Sequence, residues 1–365
     1  MLPSNGAENH MKTITIKAPC GILTSLKTGK QTYNYLNSKM RDSNNGGPDP
    51  TGRRRFITSL TAAGMALPFM KITPGSFLAP EGGRPVSISV FSKPLIWLDY
   101  DSMSSLLAEA GADGIDLTVR PQGHVLPENV ETDLPRAIAS ARRKGLKVDM
   151  IVTSILTAGD KTTEKIISTA ASEGVKYYRL GWFSWDDKLG INGTLDRCRK
   201  ELDKISELNR KYKIHGAYQN HAGNMVGAAV WDVWEMLKNT DPEYTGCQYD
   251  IRHAVAEGSE SWQSGLKLLA PWIKCSDIKD FTWSEHDGKW NPVTVPLGEG
   301  IVPFPEYFKL IKTLNITGPE SLHFEYPPFE NGDKNLTSKE KGELFLKYIK
   351  QDIDRLRNLH RNLQG

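Results

Sequence analysis

The stretch that decides the fold is KIHGAYQNHAG, Lys213 to Gly223. Its first half reads as a buried strand, short and largely apolar. Its second half closes on two amides and an imidazole, Gln219, Asn220 and His221. A strand that ends on a knot of polar groups needs a reason, and its neighbours in the chain supply one.

Seven other β-rich runs share the design. In chain order they are VSISVFS (86–92), GIDLTV (114–119), KVDMIVTS (147–154), KYYRLGWF (176–183), then IHGAYQN (214–220) itself, TGCQYD (245–250), IKCSDIK (273–279) and SLHFEY (321–326). Amphipathic helical segments separate them. In DLPRAIASARRKG, Asp133 is placed to cap, Pro135 sits in the first turn, Leu134, Ile138 and Ala141 share a face, and Gly145 ends the helix. The segment from Thr162 to Gly174 repeats the scheme. Eight strand-then-helix units over roughly 250 residues predict a (β/α)8 TIM barrel, and a parallel sheet covered by helices accounts for nearly continuous apolar strands. The alternative is a doubly wound open sheet. It needs a glycine-rich turn after the first strand to hold a dinucleotide, and FSKPLIWLDYDS contains no glycine. Residues 338–363, SKEKGELFLKYIKQDIDRLRNLHRNL, predict one long amphipathic helix packed on the barrel or on a partner subunit of a homo-oligomer.

Composition bounds the function. With 365 residues, 39% hydrophobic and 24% charged, the chain can bury a large core and is not disordered throughout. A net charge of +3 with both signs interspersed offers no basic field for nucleic acid and no electrostatic hold on a membrane, so the expected partner is a small molecule. Cys20, Cys198, Cys247 and Cys275 lie far apart with no CxxC pair, which argues against a disulfide framework and against a thiolate zinc site.

The N-terminal part differs from the rest. Residues 1–50 are polar and rich in Ser, Asn, Gly and Lys, and are expected to be a disordered extension. Residues 51–80 carry Arg53, Arg54, Arg55, Phe56 and Ile57, followed by a weakly apolar run to Met70 that is too short to span a bilayer. The arrangement resembles a twin-arginine export signal, R-R-x-F-hydrophobic, with a cut near Ala79 and a start as late as Met40; the alternative is a basic linker. The resemblance implies a periplasmic protein with no membrane anchor after processing. The expected organisation is therefore extension 1–50, signal segment 51–80, barrel 81–335 and C-terminal helix 336–365.

Strand ends now explain the opening stretch. In a (β/α)8 barrel the carboxyl ends of the strands aim their side chains into one shared mouth. The second strand delivers Asp116, then Arg120 and His124; the fourth Arg179; the fifth Gln219, Asn220 and His221; the sixth Asp250, Arg252 and His253; the seventh Asp277, Lys279 and Asp280; the eighth His323 and Glu325. Gln219, Asp250, Asp277 and Glu325 form a set of three carboxylates and an amide oxygen on four successive strands. Three buried carboxylates repel one another unless a cation joins them, so a divalent ion is expected, and an all-oxygen set favours Mn2+ or Mg2+ over zinc.

From about residue 86 to 330 the chain resembles the sugar phosphate isomerase and epimerase family with a xylose isomerase-like barrel. The segments that carry the likeness are AYQNHAG, YDIRHA, IKCSDIKDF, LGEGIVPFPEYFKLIKTLNITGPESLHFEY and GADGIDLTVRPQGHVLPENVETDLPRAI. The resemblance implies one divalent cation held by Glu, Asp, His and Glu; these fall on Gln219, Asp250, Asp277 and Glu325. It also implies proton abstraction beside a carbonyl. An amide cannot act as the base near neutral pH, so Glu325 and one of His221 or His253 are the expected acid and base groups. Arg120, His124, Arg179 and Lys279 are expected to bind the carbohydrate, with Glu299 a weaker candidate and Trp182, Phe183 and Trp185 available to stack on a sugar ring. Three activities fit: isomerisation or epimerisation of a sugar, cleavage of a keto-glycoside by elimination, or sugar binding without catalysis. Barrel endonucleases are related, but the histidine-rich multi-zinc set and basic surface they need are not evident.

Overall fold

The computed structural model describes residues 86–326, Phe329 and residues 336–362. The expected extension and export segment, with Arg53 to Ile57 and Cys20, lie outside the described residues.

The described residues contain ten strands: β1 (Ile88–Phe91), β2 (Gly114–Thr118), β3 (Lys147–Val152), β4 (Tyr177–Arg179), β5 (His215–Gln219), β6 (Thr245–Asp250), β7 (Ile273–Ile278), β8 (Asp280–His286), β9 (Lys289–Val295) and β10 (Glu320–Leu322). Eight of them close into a parallel barrel in the order β1-β10-β7-β6-β5-β4-β3-β2. Nine α-helices accompany them: α1 (Tyr100–Ala110), α2 (Val130–Arg143), α3 (Thr163–Ser172), α4 (Gly190–Tyr212), α5 (Val230–Leu237), α6 (Ile251–Gly258), α7 (Trp262–Leu269), α8 (Phe304–Thr313) and α9 (Ser338–Asn362). The architecture is the expected TIM barrel. None of the described helices is long and apolar enough to cross a membrane.

Burial is organised in two shells. Outward-facing strand residues such as Val90, Ile115, Leu117, Ile151, Tyr218 and Tyr249 pack against the helices in one continuous core. Inside the barrel, Met150, Ala217 and Cys275 make a small apolar plug with Tyr177 against it. They come from β3, β5 and β7, alternate strands, as the layered filling of a closed barrel requires. Above this plug the interior turns polar. Cys198, Cys247 and Cys275 are all buried free thiols.

Several expectations change in detail. Helix α2 begins at Val130, and Pro135 lies within it rather than in its first turn. The reason is that Val130, fully buried, docks the extra turn, and Asp133 pairs with Arg136 instead of capping. The fourth strand is only three residues, and β10 stops at Leu322, so His323 and Glu325 stand on the segment just beyond the strand. The largest omission is the β8–β9 hairpin, which follows β7 before the LGEG turn. Its signal is present in DFTWSEHDGKWNPVTV: alternation flanking Asp287-Gly288, which turn with φ of 51° and 72°, the left-handed pair that a two-residue hairpin loop demands.

Helix α9 packs on the barrel through Phe345, Ile349, Ile353 and Leu356. One buried polar residue locks it in place. Asp352 accepts from Tyr326 Oη at 2.8 Å and from the backbone N–H of Leu297 at 3.2 Å.

Candidate active site

The mouth is built by immediate strand-to-helix turns. Asp250 is both the last residue of β6 and the cap of α6, its Oδ1 accepting from the backbone N–H of His253 at 3.1 Å. Asn220, one residue past β5, clamps that turn: its Nδ2 donates to the carbonyl of Asp250 and its Oδ1 accepts from the N–H of Asp250, each at 2.9 Å. Asp250 and Asp277 are register partners on adjacent strands. The clamp and the pairing fix their two carboxylates at the same height.

Gln219, Asp250, Asp277 and Glu325 do come together, but not around a vacant centre of oxygen atoms. Gln219 Nε2 donates to Asp250 Oδ2 at 2.9 Å and to Asp277 Oδ2 at 2.5 Å. Its Oε1 is turned away and accepts from Arg179 Nη1 at 2.8 Å. Lys279 places its ammonium 3.0 Å from Asp250 Oδ2 and 3.4 Å from Glu325 Oε2. The lysine side chain is only 3% exposed. Burial works against its charge, but Asp250 and then Glu325 outweigh that and raise its pKa, so it stays an ammonium.

This arrangement corrects the expected ion site. A divalent ion needs acceptor atoms directed at it, and Gln219 presents a donor to the two aspartates. The charge that should join Asp250 to Glu325 is already there on Lys279. Neither Asp250 nor Glu325 belongs to a close group of three or more His, Cys, Asp or Glu ligand atoms among the described residues. The family's four-residue set does not fit a divalent ion here. A different trio does lie close together: Asp116, Asp277 and His323, each offering a ligand atom within 4.8 Å of the others. Asp116 Oδ1 is buried without a hydrogen-bond partner, so this deeper group could hold an ion.

His323 is the centre of that group. Its Nε2 lies 3.2 Å from Asp277 Oδ1, its Nδ1 lies 3.4 Å from Glu325 Oε2, and its ring stacks on Phe91 at 4.2 Å between centroids. Burial opposes protonation, but the Asp277 carboxylate and then the Glu325 contact push its pKa up to about 9. Asp277 also accepts from Gln248 Nε2 at 2.6 Å. Burial and the nearby Asp277 raise Asp116 to about 6, against a hydrogen bond from Ser321 Oγ at 2.6 Å. Sequence reasoning named His323 and Asp116 as strand-end residues without giving them this role, and it missed Gln248, whose position two residues before Asp250 puts it on the same inward face.

Glu325 is the open member of the set, with 16% of its side chain exposed. Burial would raise its pKa, but Lys279, His323 and Lys93 hold it well below the usual carboxylate range. Lys93, whose Nζ is 2.6 Å from Glu325 Oε1, was not foreseen. It sits on the loop after β1, which carries no motif, and only closure of the barrel brings it beside the last strand.

The remaining candidates divide. Arg179 is buried, reaches Gln219, and lays its guanidinium on Trp182 at 4.5 Å. The His221 and His253 rings lie 4.0 Å apart, tilted to one another, and His221 also meets Trp182 at 4.6 Å. Burial lowers His221 to about 4 and His253 far below its usual value, so both are neutral near pH 7 and better suited to hydrogen-bond hydroxyls than to donate protons as imidazolium. Arg252 donates to His253 Nδ1 at 2.9 Å and to the carbonyl of Pro292 on the hairpin at 3.2 Å. Arg120 and Lys93 line a cavity of about 950 Å³. His124 borders the same cavity, and both of its ring nitrogens are engaged within the fold, by Thr118 Oγ1 and the carbonyl of Leu95, each at 3.1 Å. Asp280 gathers four backbone N–H groups, from Phe281, Gly298, Gly300 and Val302, and shapes the LGEG turn. Glu299 pairs with Arg355 of α9 at 2.9 Å, outside the site.

The chain matches the family model described as xylose isomerase-like TIM barrel over residues 105–359. No curated protein sequence matches it. Among solved structures, the IOLI protein with a binding zinc atom superposes with a TM-score of 0.57 at 16% identity, covering 73% of this chain and 96% of its own. The probable 3-DHS dehydratase AsbF from Bacillus anthracis gives 0.53 at 15% identity, with 74% and 98% covered. The 3-keto-D-glucoside 4-epimerase YcjR from E. coli gives 0.52 at 12% identity, with 72% and 99% covered. At these identities the likeness is one of fold. The length of the family match settles the classification: the chain belongs to the xylose isomerase-like TIM barrels.

Proposed function

We propose that this protein is an enzyme that removes a proton from a carbon beside the carbonyl of a sugar or sugar derivative. The observation that carries this reading is the placement of Glu325 at the open end of the site, bridged to the buried ammonium of Lys279 and to His323. A carbonyl oxygen entering there accepts from Lys279, which weakens the lysine's hold on Glu325. Released from that contact the carboxylate regains basicity and lies beside the adjacent carbon. The enolate that forms keeps its negative oxygen against Lys279, which stabilises charge only as it develops. Neutral His221 and His253, with Arg120, orient hydroxyls.

Return of the proton to the neighbouring carbon isomerises the sugar; return to the opposite face epimerises it; expulsion of a substituent on the next carbon eliminates it. Similar structures include an epimerase of a keto-glucoside and a dehydratase, which supports keeping epimerisation and elimination together. Sugar binding without catalysis is the remaining reading. If the chain also holds Mn2+ or Mg2+, Asp116, Asp277 and His323 are the residues to hold it, and it would supply further charge stabilisation. The resemblance of residues 51–80 to a twin-arginine signal supports a periplasmic address, where free sugars and keto-glycosides are more accessible than sugar phosphates. Cell fractionation tests the address.

The reaction is tested by incubating candidate keto-sugars and keto-glycosides with the protein in D2O. Deuterium should enter the carbon beside the carbonyl, and Glu325→Gln should slow that entry by about 10²–10⁴-fold. Binding of the sugar with no exchange in the wild type would reduce the protein to a sugar-binding barrel. Loss of an aglycone during exchange would select elimination.

A further inference from the structure

We infer that Lys279 has taken over the place and the charge of the divalent cation that joins strand-end carboxylates in this barrel family. The inference concerns the make-up of the site and stands whichever reaction the enzyme performs. Three observations carry it. The ammonium lies between Asp250 and Glu325, 3.0 Å and 3.4 Å from their oxygens, in a position with 3% side-chain exposure. An ion bridging the same oxygens would collide with it. Gln219, standing where an acidic ligand is expected, turns its Nε2 toward Asp250 and Asp277 and gives its oxygen to Arg179. That rotamer satisfies the aspartates as a donor does and directs its oxygen to Arg179, away from them.

The third observation is the local charge balance. Asp250 and Glu325 are met by the ammonium groups of Lys279 and Lys93, each within 3.4 Å of at least one of them. Two carboxylates facing two ammonium groups are already compensated. A divalent ion bridging the same two carboxylates would add two positive charges to a pair already neutralised. The exchange also has a chemical consequence: an ammonium offers directed N–H donors and one charge, where a metal ion offers two charges and open coordination positions.

The test is direct. The wild-type protein, treated with chelator and then titrated with MnCl2, should show no ion bound through Asp250. The double variant Lys279→Met, Gln219→Glu removes the ammonium and restores a carboxylate, and should bind Mn2+ at least about 100-fold more tightly than the wild type. Its melting temperature should rise by about 5 °C or more in saturating Mn2+ relative to EDTA. The proposal is overturned if the wild type holds about one equivalent of Mn2+ that Asp250→Asn abolishes, a result independent of whether the double variant folds. It is also overturned if the double variant folds, by circular dichroism, and gains no binding. Wild-type binding that survives Asp250→Asn and disappears in Asp116→Asn leaves the proposal standing and places the ion in the deeper trio.

Discussion

His323 makes the stability of this protein depend on alkaline pH in a way that can be measured. Its folded-state pKa is raised from 6.5 to about 9 by the Asp277 carboxylate and the Glu325 contact, against the burial that opposes charge. A group raised in the folded state contributes its full stabilisation below the unfolded value, near pH 6.5, and loses it as the pH climbs through about 9. The side chain is 1% exposed, so solvent screening does not reduce the effect. A rise of about 2.5 at about 1.36 kcal/mol for each pH step gives about 3 kcal/mol. The Asp277 side of the same contact is not added, because it is the same interaction counted from the other partner. Urea unfolding of the wild type and of His323→Gln at several values from pH 6.5 to 10, all in EDTA, measures the difference. The wild type should lose about 3 kcal/mol more than the variant across that range. Parallel curves would show that His323 is neutral in the folded protein and that the ion pair with Asp277 does not form.

Asp280→Ala strands four backbone N–H groups, that of Phe281 at the start of the hairpin and three that follow it, and should lower unfolding free energy by about 2 kcal/mol or more; a change below about 0.5 kcal/mol would mean water replaces the carboxylate freely. Ile353→Ala on α9 should cost about 2–5 kcal/mol in the same assay while leaving turnover intact, since its side chain packs in the core outside the barrel; lost turnover in a folded variant would tie the helix to the site. His124→Ala should destabilise the β2 loop by about 1–3 kcal/mol and change KM by less than about threefold, whereas a large KM rise with little loss of stability would restore a substrate contact.

The strand-end residues were legible before any coordinates because barrel geometry is carried by periodicity. Gln219 and Asp250 close β5 and β6 and Asp277 is the penultimate residue of β7, since short β-branched and aromatic runs bounded by amphipathic helices leave little choice of topology. Arg179 likewise closes β4. The hairpin was equally legible in principle. Its alternation and Asp287-Gly288 turn were hidden only by treating everything after the seventh strand as connection. What could not be read was which atoms face one another. The change from glutamate to Gln219 leaves an oxygen available on paper, and only the neighbouring Arg179 decides that this oxygen points elsewhere. The loop residue Lys93 belongs to the same class, being 232 residues from its partner Glu325.

By itself the amino-acid order determined a closed parallel barrel and the ring of polar groups at its rim, because alternation, helix periodicity and chain direction are local properties that add up along the chain. Tertiary structure alone decided the electrostatics of that rim. Whether a cluster of carboxylates is joined by an ion, an imidazolium or an ammonium depends on contacts of 3 Å between residues remote in sequence, such as Lys279 with Asp250 and His323 with Asp277. Coulomb energies and desolvation change steeply over such distances, and no pattern in the sequence encodes them at that resolution.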